Sequence, residues 1–251
     1  MYSNHAGVLV SLVGAGPGDP ELLTIKALRR IETADVVMYD RLVSAEILAL
    51  GRPEAEYIHC GKEEGHQEEV QQEIFRLLVD RARRGLRVVR LKGGDPMLFG
   101  RGGEELEALE RAGIEAEVVG GVSSALGAPH AAGIPLTYRG VARSVAIVTG
   151  RCKGGDLTDW SKVARVDTLV ILMGIKYRAR IAQSLIACGR DREEVVAFVE
   201  RGTTAEERVV TGTMAEVAGG HVDVEAPAVW VCGEVVKYRW ALKQALVEAR
   251  A

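Results

Sequence analysis

Short apolar runs alternate along the chain with longer segments of helical period. The clearest helical segments are Pro20–Glu32, whose start is marked by Asp19, and Gln67–Arg84. The predicted strands of the first half are Val8–Val13, Asp35–Tyr39, Glu56–His59, Leu86–Leu91 and Ala116–Val119. This alternation is typical of an α/β fold built on mostly parallel sheets.

The pattern breaks at Gly133–Arg143, where a Gly-Ile-Pro sequence leads into a polar stretch, and it then resumes. The predicted strands of the second half are Ser144–Thr149, Thr168–Met173, Val195–Val199 and Ala228–Cys232. We therefore expect two α/β domains, residues 1–135 and 136–251, with mostly parallel sheets. A cleft between them is the expected ligand site.

Composition and charge narrow the possible partners. The formal net charge of −3 offers no overall basic field for nucleic acid or an anionic membrane, so an anionic substrate must be met by local arginines. The four cysteines and five histidines lack metal-ligand spacing, and no metal is expected. No window approaches the roughly 20 apolar residues of a membrane helix, and a cytoplasmic protein is expected.

The first glycine-rich segment, Gly14–Asp19, follows a predicted strand and precedes a helix. A dinucleotide-binding loop has this position, but Asp19 stands where its third glycine would fall. Pro17 also removes a backbone N–H that a phosphate would bind. A nicotinamide dehydrogenase is therefore disfavoured, and a tight structural turn remains an alternative for this segment.

The second segment, Arg90–Glu105, also follows a predicted strand and precedes a helix, and it contains more residues that could bind a ligand. Gly93 and Gly94 would let a ligand approach the backbone, and Asp95 can accept hydrogen bonds from an ammonium or a ribose. Arg101 lies among glycines and could bind a carboxylate through two parallel hydrogen bonds. Because each glycine costs conformational entropy on folding, a binding site is favoured over a charged surface loop.

Both segments belong to a series that resembles the motifs of uroporphyrinogen-III C-methyltransferases, within the wider tetrapyrrole methylases. The series comprises Val13–Thr24, Val37–Ser44, Gly61-Lys62, Arg90–Glu105, Gly121–Ala125, Thr149-Gly150, Leu172–Gly174, Glu200–Thr203 and Ala226–Ala228. The first loop is shared by all tetrapyrrole methylases and indicates S-adenosylmethionine (SAM). Val37–Ser44 and Arg90–Glu105 are more specific to the uroporphyrinogen-III enzymes.

The resemblance implies SAM-dependent methylation of uroporphyrinogen III at C2 and C7, giving precorrin-2 and S-adenosylhomocysteine, by a homodimer. SAM would lie folded between the domains. Its implied contacts are Pro17, Gly93, Gly94, Asp95, Leu98, Ser123, Ser124, Met173, Gly202, Pro227 and Ala228. From the residues alone, Met173 at a strand end is equally typical of a core methionine.

The resemblance also implies Asp40 as proton acceptor and Lys62 as proton donor. Asp40 follows a predicted strand, at the edge where α/β sheets place ligands. A carboxylate suits the chemistry, because a proton must leave the tetrapyrrole once the methyl group is attached. The alternative for Asp40 is a surface ion pair with Arg41, and for Lys62 an ordinary exposed lysine.

The substrate carries acetate and propionate groups on every ring. Arg41, Arg101 and Arg143 are the arginines expected to bind them. Glu104 is expected to contact pyrrole nitrogens or to order Arg101.

The chain departs from the family pattern at four positions, which bear on fine substrate contacts and not on the class of reaction. Glu63, Tyr138 and Arg151 stand where Arg, His and His are usual, and Ser123 replaces Thr. Two alternatives stay open. One is a tetrapyrrole methylase that acts later in cobalamin synthesis, or a relative that modifies a protein side chain. The other is a SAM-binding regulatory module without turnover.

Overall fold

The structure is a computed structural model that describes residues 9–61, 67–151 and 158–239. It divides into two compact units, Met1–Ser123 and Ser124–Ala251. Each unit carries its own five-stranded sheet.

The first unit contains a parallel sheet in the strand order β3-β2-β4-β1-β5. The strands are β1 (Val10–Gly14), β2 (Val36–Tyr39), β3 (Glu56–His59), β4 (Val88–Lys92) and β5 (Ala116–Val119). Every pairing is parallel, so the carboxyl ends of the strands share one edge. The α/β class and the parallel sheet predicted for this half are confirmed.

Helices cover both faces of this sheet. They are α1 (Ile25–Thr33), α2 (Ala45–Leu48), α3 (Gln67–Arg83) and α4 (Gly102–Arg111). Ile31 and Ile47 belong to the apolar cluster on one face, and Ile74 and Leu78 to the cluster on the other. Burial of both faces explains why the strands of a parallel sheet are nearly continuous apolar runs.

The predicted helix Pro20–Glu32 is divided in two. Asp19 caps a single 3₁₀ turn, Pro20–Leu22, by accepting a hydrogen bond from the backbone of Glu21 at 2.8 Å. Thr24 then caps α1 by accepting one from the backbone of Ala27 at 3.2 Å. Two capping residues so close together start two short elements, where the periodicity alone predicted one.

The second unit contains a mixed sheet in the order β6-β7-β10-β8-β9. The strands are β6 (Val145–Thr149), β7 (Thr168–Leu172), β8 (Val195–Glu200), β9 (Arg208–Thr213) and β10 (Ala228–Cys232). The helices are α5 (Ser124–Ala131), α6 (Arg178–Ala187) and α7 (Met214–Ala218). Its core is built around side chains such as Leu169, Phe198 and Trp230.

The expectation of mostly parallel strands is wrong for this second sheet. Only β6 and β7 are parallel, and the other three pairings are antiparallel. Residues 201–207, which join β8 to β9, are too few for the crossover that parallel strands need. β9 was not predicted, because its apolar content is limited to Val209 and Val210 and it includes Gly212.

The division between the units precedes the boundary predicted after residue 135. Helix α5 contacts β7 and β10 and so belongs to the second unit. The Gly133–Pro135 break therefore lies inside that unit, where it ends α5 and does not separate domains.

Three glycines bring the backbone segments after β1, β4 and β5 together at the carboxyl edge of the first sheet. A Cβ atom added to Gly14 would lie 2.6 Å from the backbone nitrogen of Gly121 and 2.7 Å from the carbonyl oxygen of Gly94. Backbone atoms cannot turn aside as a side chain can, so this approach requires a residue without a Cβ.

Replacing Gly14 by Ala should therefore lower the free energy of unfolding by about 1 to 3 kcal/mol, as overpacking of a close-packed site does. The measurement is thermal or denaturant unfolding. Gly103→Ala is the matched control, since a Cβ there meets no heavy atom within 4 Å. Equal stability of the two variants would contradict the close approach.

Candidate functional site

The candidate site in the first unit consists of the loops at the carboxyl edge of its sheet. Asp40 follows β2, Gly93–Asp95 follows β4, and Gly120–Ser123 follows β5. In open α/β sheets the carboxyl ends of the strands form the ligand site. The structure thus gathers at one edge several residues that are far apart in the sequence.

The two glycine-rich loops are hydrogen-bonded to each other. Ala15 donates its backbone N–H to Lys92 O at 2.8 Å, and Gly16 and Gly94 exchange hydrogen bonds of 3.1 and 2.7 Å. Gly94 adopts a φ of +71°, a conformation that side chains rarely allow. The first loop is therefore a tight turn and also part of the same cluster as the second. Pro17, next in this loop, is half-buried.

Asp95 joins the loops after β4 and β5. One carboxylate oxygen accepts from the backbone N–H of Met97 at 2.8 Å, and the other from that of Gly121 at 3.0 Å. Both bonds order the loops on which Leu98 and the buried Ser123 lie. Because a carboxylate offers about four acceptor positions, these bonds leave capacity for a ligand donor.

Asp40 is held by a buried arginine. Its Oδ1 accepts a hydrogen bond from Arg90 Nη2 at 2.5 Å, and its side chain is 30% exposed. The suggested partner Arg41 is exposed and forms no ion pair with Asp40 among the residues that the structure describes. The alternative that paired Asp40 with Arg41 is therefore wrong.

Beneath Asp40 lies a cluster of buried charges that the sequence motifs did not single out. Lys92 Nζ donates to Glu105 Oε1 at 2.8 Å and lies 4.0 Å from Asp40 Oδ2. Arg90 Nε is 3.4 Å from the same Glu105 oxygen, which also accepts from Gln71 Nε2 at 3.3 Å. The sequence does contain a signal for this cluster. Arg90 and Lys92 lie two residues apart in an apolar strand, so their side chains must lie on the same buried face of the sheet.

Burial and mutual charge set the protonation behaviour of this cluster. Burial lowers the pKa of Lys92, and the neighbouring Arg90 lowers it further, while Glu105 and Asp40 act in the opposite direction. Burial also opposes the charge on Arg90, but the two carboxylates outweigh it and raise the pKa of Arg90. Burial raises the pKa of the nearby Cys60 thiol, which favours its neutral form.

Arg101 lies at the amino end of α4 in a left-handed conformation, with φ of 60°. Its Nε donates to Glu104 Oε1 at 2.9 Å, and its Nη2 pairs with the other oxygen of Glu104. Glu104 thus contacts Arg101, as expected if Glu104 orders this arginine.

The candidate residues of the second unit lie at the ends of its strands and helices. Met173 follows β7 with φ of 56° and is 49% exposed, so the core alternative for it is wrong. Ser124 is the first residue of α5, and Ala228 the first of β10. Pro227 O accepts a hydrogen bond from the backbone of Arg201 at 3.0 Å.

Gly202 packs closely against α5, since a Cβ there would lie 2.9 Å from Ala128 Cα. Arg143 is exposed, and its backbone N–H donates to Asp167 Oδ2 at 2.9 Å. Tyr138 stacks on Tyr238 with ring centroids 4.1 Å apart, and the backbone N–H of Arg151 donates to Thr149 Oγ1 at 3.1 Å.

Lys62 and Glu63 lie outside the described residues. Over the parts of the chain that the structure describes, no group of three or more His, Cys, Asp or Glu side chains could hold a metal ion. No helix in these same parts has the length and apolar character to cross a membrane.

The fold is that of an α/β protein, and this cluster of loops is a candidate ligand site at the carboxyl edge of its parallel sheet. The family model of tetrapyrrole (corrin/porphyrin) methylases matches residues 9–218. The chain belongs to this family.

Two solved structures are similar to this chain in sequence and in fold. The native uroporphyrin-III C-methyl transferase of Thermus thermophilus is 53% identical, with a TM-score of 0.82 over 91% of this chain and 98% of that one. The same enzyme complexed with S-adenyl homocysteine is 52% identical, with a TM-score of 0.83 over 92% of this chain and 99% of that one.

Siroheme synthase 2 of Aeromonas hydrophila subsp. hydrophila is 50% identical over 238 residues, which are 94% of this chain and 50% of the relative. The chain spans about half the length of the curated relatives it matches.

The loop-joining role of Asp95 can be tested with Asp95→Asn. The asparagine side chain keeps one oxygen, which can still accept one of the two hydrogen bonds. Its NH₂ group is a donor and cannot accept the other bond, from the backbone N–H of Gly121 or of Met97. We expect a loss of about 1 to 3 kcal/mol in the free energy of unfolding, as for an acceptor removed from a partly buried bond.

Asp191→Asn is the matched control. Asp191 accepts the same kind of local hydrogen bond, from the backbone N–H of Glu193 at 2.9 Å, and forms no long-range hydrogen bond within the described parts of the chain. A comparable loss in both variants would mean that the bond to Gly121 does not stabilise the loops.

Proposed function

We propose that this chain transfers methyl groups from SAM to C2 and C7 of uroporphyrinogen III, giving precorrin-2 and S-adenosylhomocysteine. The observation that carries the proposal is the partly exposed Asp40 carboxylate at the carboxyl edge of the parallel sheet, paired with buried Arg90. Membership of the tetrapyrrole methylases and 53% identity with the Thermus thermophilus enzyme support the choice of substrate.

The residues proposed to bind SAM fit the molecule in kind. Gly93 and Gly94 offer backbone without side chains, Ser123 and Ser124 offer hydroxyls, and exposed Met173 offers an apolar surface for an adenine ring. Pro17, Asp95, Leu98, Gly202, Pro227 and Ala228 complete the proposed set. When bound, SAM supplies an electrophilic methyl group on a sulfonium centre.

Asp40 is the proposed proton acceptor. A ring carbon of the tetrapyrrole forms the new bond to the methyl group as the sulfur–carbon bond breaks and its electron pair returns to sulfur. The methylated ring system then loses one proton, which the Asp40 carboxylate accepts. Because Arg90 already occupies one oxygen, the proton would go to the other oxygen, Oδ2.

Arg41, Arg101 and Arg143 are proposed to bind the acetate and propionate groups. Arg41 and Arg143 are exposed, and Arg101 is preorganised by Glu104. A guanidinium can bind a carboxylate through two parallel hydrogen bonds, which suits a substrate rich in carboxylates. We also propose, from the family resemblance, that Lys62 donates a proton and that the chain works as a homodimer, and, from the lack of a membrane-length apolar window in the sequence, that it is cytoplasmic.

The direct test is the reaction itself. The purified protein, kept anaerobic because porphyrinogens oxidise, would receive SAM and enzymatically prepared uroporphyrinogen III. We expect two methyl groups per tetrapyrrole and two equivalents of S-adenosylhomocysteine, measured by mass spectrometry. Product formed only from a later corrin intermediate would move the assignment to another tetrapyrrole methylase. SAM binding without any methylation would favour a regulatory module.

The role of Asp40 can be tested with Asp40→Asn, which keeps the shape and removes the basic oxygen. We expect SAM affinity measured by calorimetry to persist while kcat falls by about 10² or more. Asp35→Asn is the matched control, because Asp35 precedes the same strand and is also paired with arginines, Arg52 at 2.7 Å and Arg87 at 2.9 Å. The folded control should retain turnover. Normal turnover by Asp40→Asn would exclude Asp40 as the acceptor.

A further inference from the structure

Four charged side chains form a compact group in the first unit: Arg90 and Lys92 of β4, Glu105 of α4, and Asp40 after β2. Arg90, Lys92 and Glu105 have side-chain exposures of 2%, 4% and 0%, whereas Asp40 is 30% exposed. Asp40 is thus the member of this group whose side chain is accessible from the surface.

Each oxygen of Asp40 faces a different cation. Oδ1 accepts from Arg90 at 2.5 Å, and Oδ2 lies 4.0 Å from Lys92 Nζ. The latter distance is too long for a hydrogen bond, but charges at this separation in a partly buried site interact strongly. Arg90 is itself fixed by the carbonyl oxygens of Met38 and Leu91, at 3.4 and 3.3 Å.

Glu105 holds Lys92 in this place. The ammonium donates to Glu105 Oε1 at 2.8 Å, and no hydrogen-bond partner of Oε2 is found within the described ranges. Glu105 also balances one of the two cations, so that Asp40 must balance the other. Removal of either carboxylate leaves an uncompensated buried cation.

Fold stability alone does not account for a lysine at position 92. Desolvation largely offsets the attraction within a buried ion pair, and well-packed apolar residues often serve a fold equally well. Of the other four buried positions of β4, Val88, Val89 and Leu91 are apolar and the fourth is Arg90.

We propose that Lys92 is a positioning residue for Asp40: its ammonium, held by Glu105, orients the second oxygen of Asp40 toward the position in which it accepts the proton. The inference rests on the proposed function of Asp40. Lys92 itself, at 3% exposure, would not touch the substrate.

The charged and titratable groups that face Asp40 and Lys92 come from several elements. They are Arg90 from β4, Glu105 from α4 and the Cys60 thiol after β3. Burial lowers the pKa of Lys92, with Arg90 acting in the same direction, while Glu105 and Asp40 act against both. Their net effect leaves the pKa of Lys92 below its usual value, and the assignment of an ammonium beside Asp40 rests on the 2.8 Å ion pair of Lys92 with Glu105 Oε1.

The test uses Lys92→Met, which keeps the length of the side chain and removes its charge. The substitution removes the cation that lies 4.0 Å from Asp40 Oδ2. The acidic limb of the kcat profile should therefore move up by about 1 pH unit or more. Poorer orientation should lower kcat by up to about 10² on the plateau. The Kd for SAM, measured by calorimetry, should change less than twofold.

The matched control is Glu117→Gln. Glu117 of β5 is partly buried and ion-paired, with Lys26 at 2.7 Å and with Arg30, but these partners are not part of the Asp40 cluster. The control should lose thermal stability and keep the wild-type pH profile. A structural role of Lys92 would make the two variants behave alike, and that outcome would overturn the inference.

A double mutant shows whether Lys92 acts through Asp40. In an Asp40→Asn background, Lys92→Met should lower kcat no further. Additive losses would mean that Lys92 acts on something other than Asp40.

If Lys92→Met does not fold, Glu105→Gln replaces it. The loss of the negative charge that holds Lys92 should again move the acidic limb of the kcat profile, and an unchanged acidic limb would overturn the inference.

Carbon-13 NMR of labelled aspartate separates this inference from the proposed function. The Asp40 carboxyl signal is assigned by its absence from Asp40→Asn and titrated in wild type and in Lys92→Met. A higher titration midpoint in the variant, without methylation of uroporphyrinogen III by wild type, supports the positioning role and rejects the function. Equal midpoints with normal wild-type methylation support the function and reject the role of Lys92.

Discussion

The balance of buried charge on the central strand β4 is the constraint on which the candidate site depends. Arg90 and Lys92 lie inside the first unit, and each unpaired buried cation would cost several kcal/mol. Glu105 supplies one negative charge from α4, and Asp40 supplies the other from the loop after β2. The requirement for neutrality beneath it thereby fixes the position of the Asp40 carboxylate, which we propose as the proton acceptor.

Backbone geometry adds a second constraint at the same edge of the sheet. Gly14, Gly94 and Gly121 approach each other so closely that side chains are excluded. Asp95 then ties the resulting loops together through backbone donors. Bare backbone lies next to an oriented carboxylate at this edge, so under the proposed function the same loops would serve both ligand binding and proton transfer.

Much of the first unit could be predicted from the sequence, because strands buried on both faces are continuous apolar runs and their helices carry clear caps. Glu56–His59 and Ala116–Val119 have the predicted bounds. The second unit was harder, because apolar runs do not encode strand direction and the half-exposed β9 lacks a strong pattern. Asp40 was implied by the family resemblance, with which its place after a strand agrees, whereas Arg90 as its partner was missed, since pairing across 50 residues is set by the register of β2 and β4.

The strand order of the first sheet has a consequence for synthesis on the ribosome. β1 is the first strand of the chain, yet both of its neighbours, β4 and β5, are made much later. Until Ala116–Val119 has emerged, β1 has an open edge on one side, and before β4 emerges it has no strand to pair with in this sheet. The apolar segment Val10–Val13 therefore remains without its partner strands in a partly folded chain, where it can misassociate or bind chaperones. The translation of about 100 further residues takes roughly 5 to 20 s at ordinary rates of elongation.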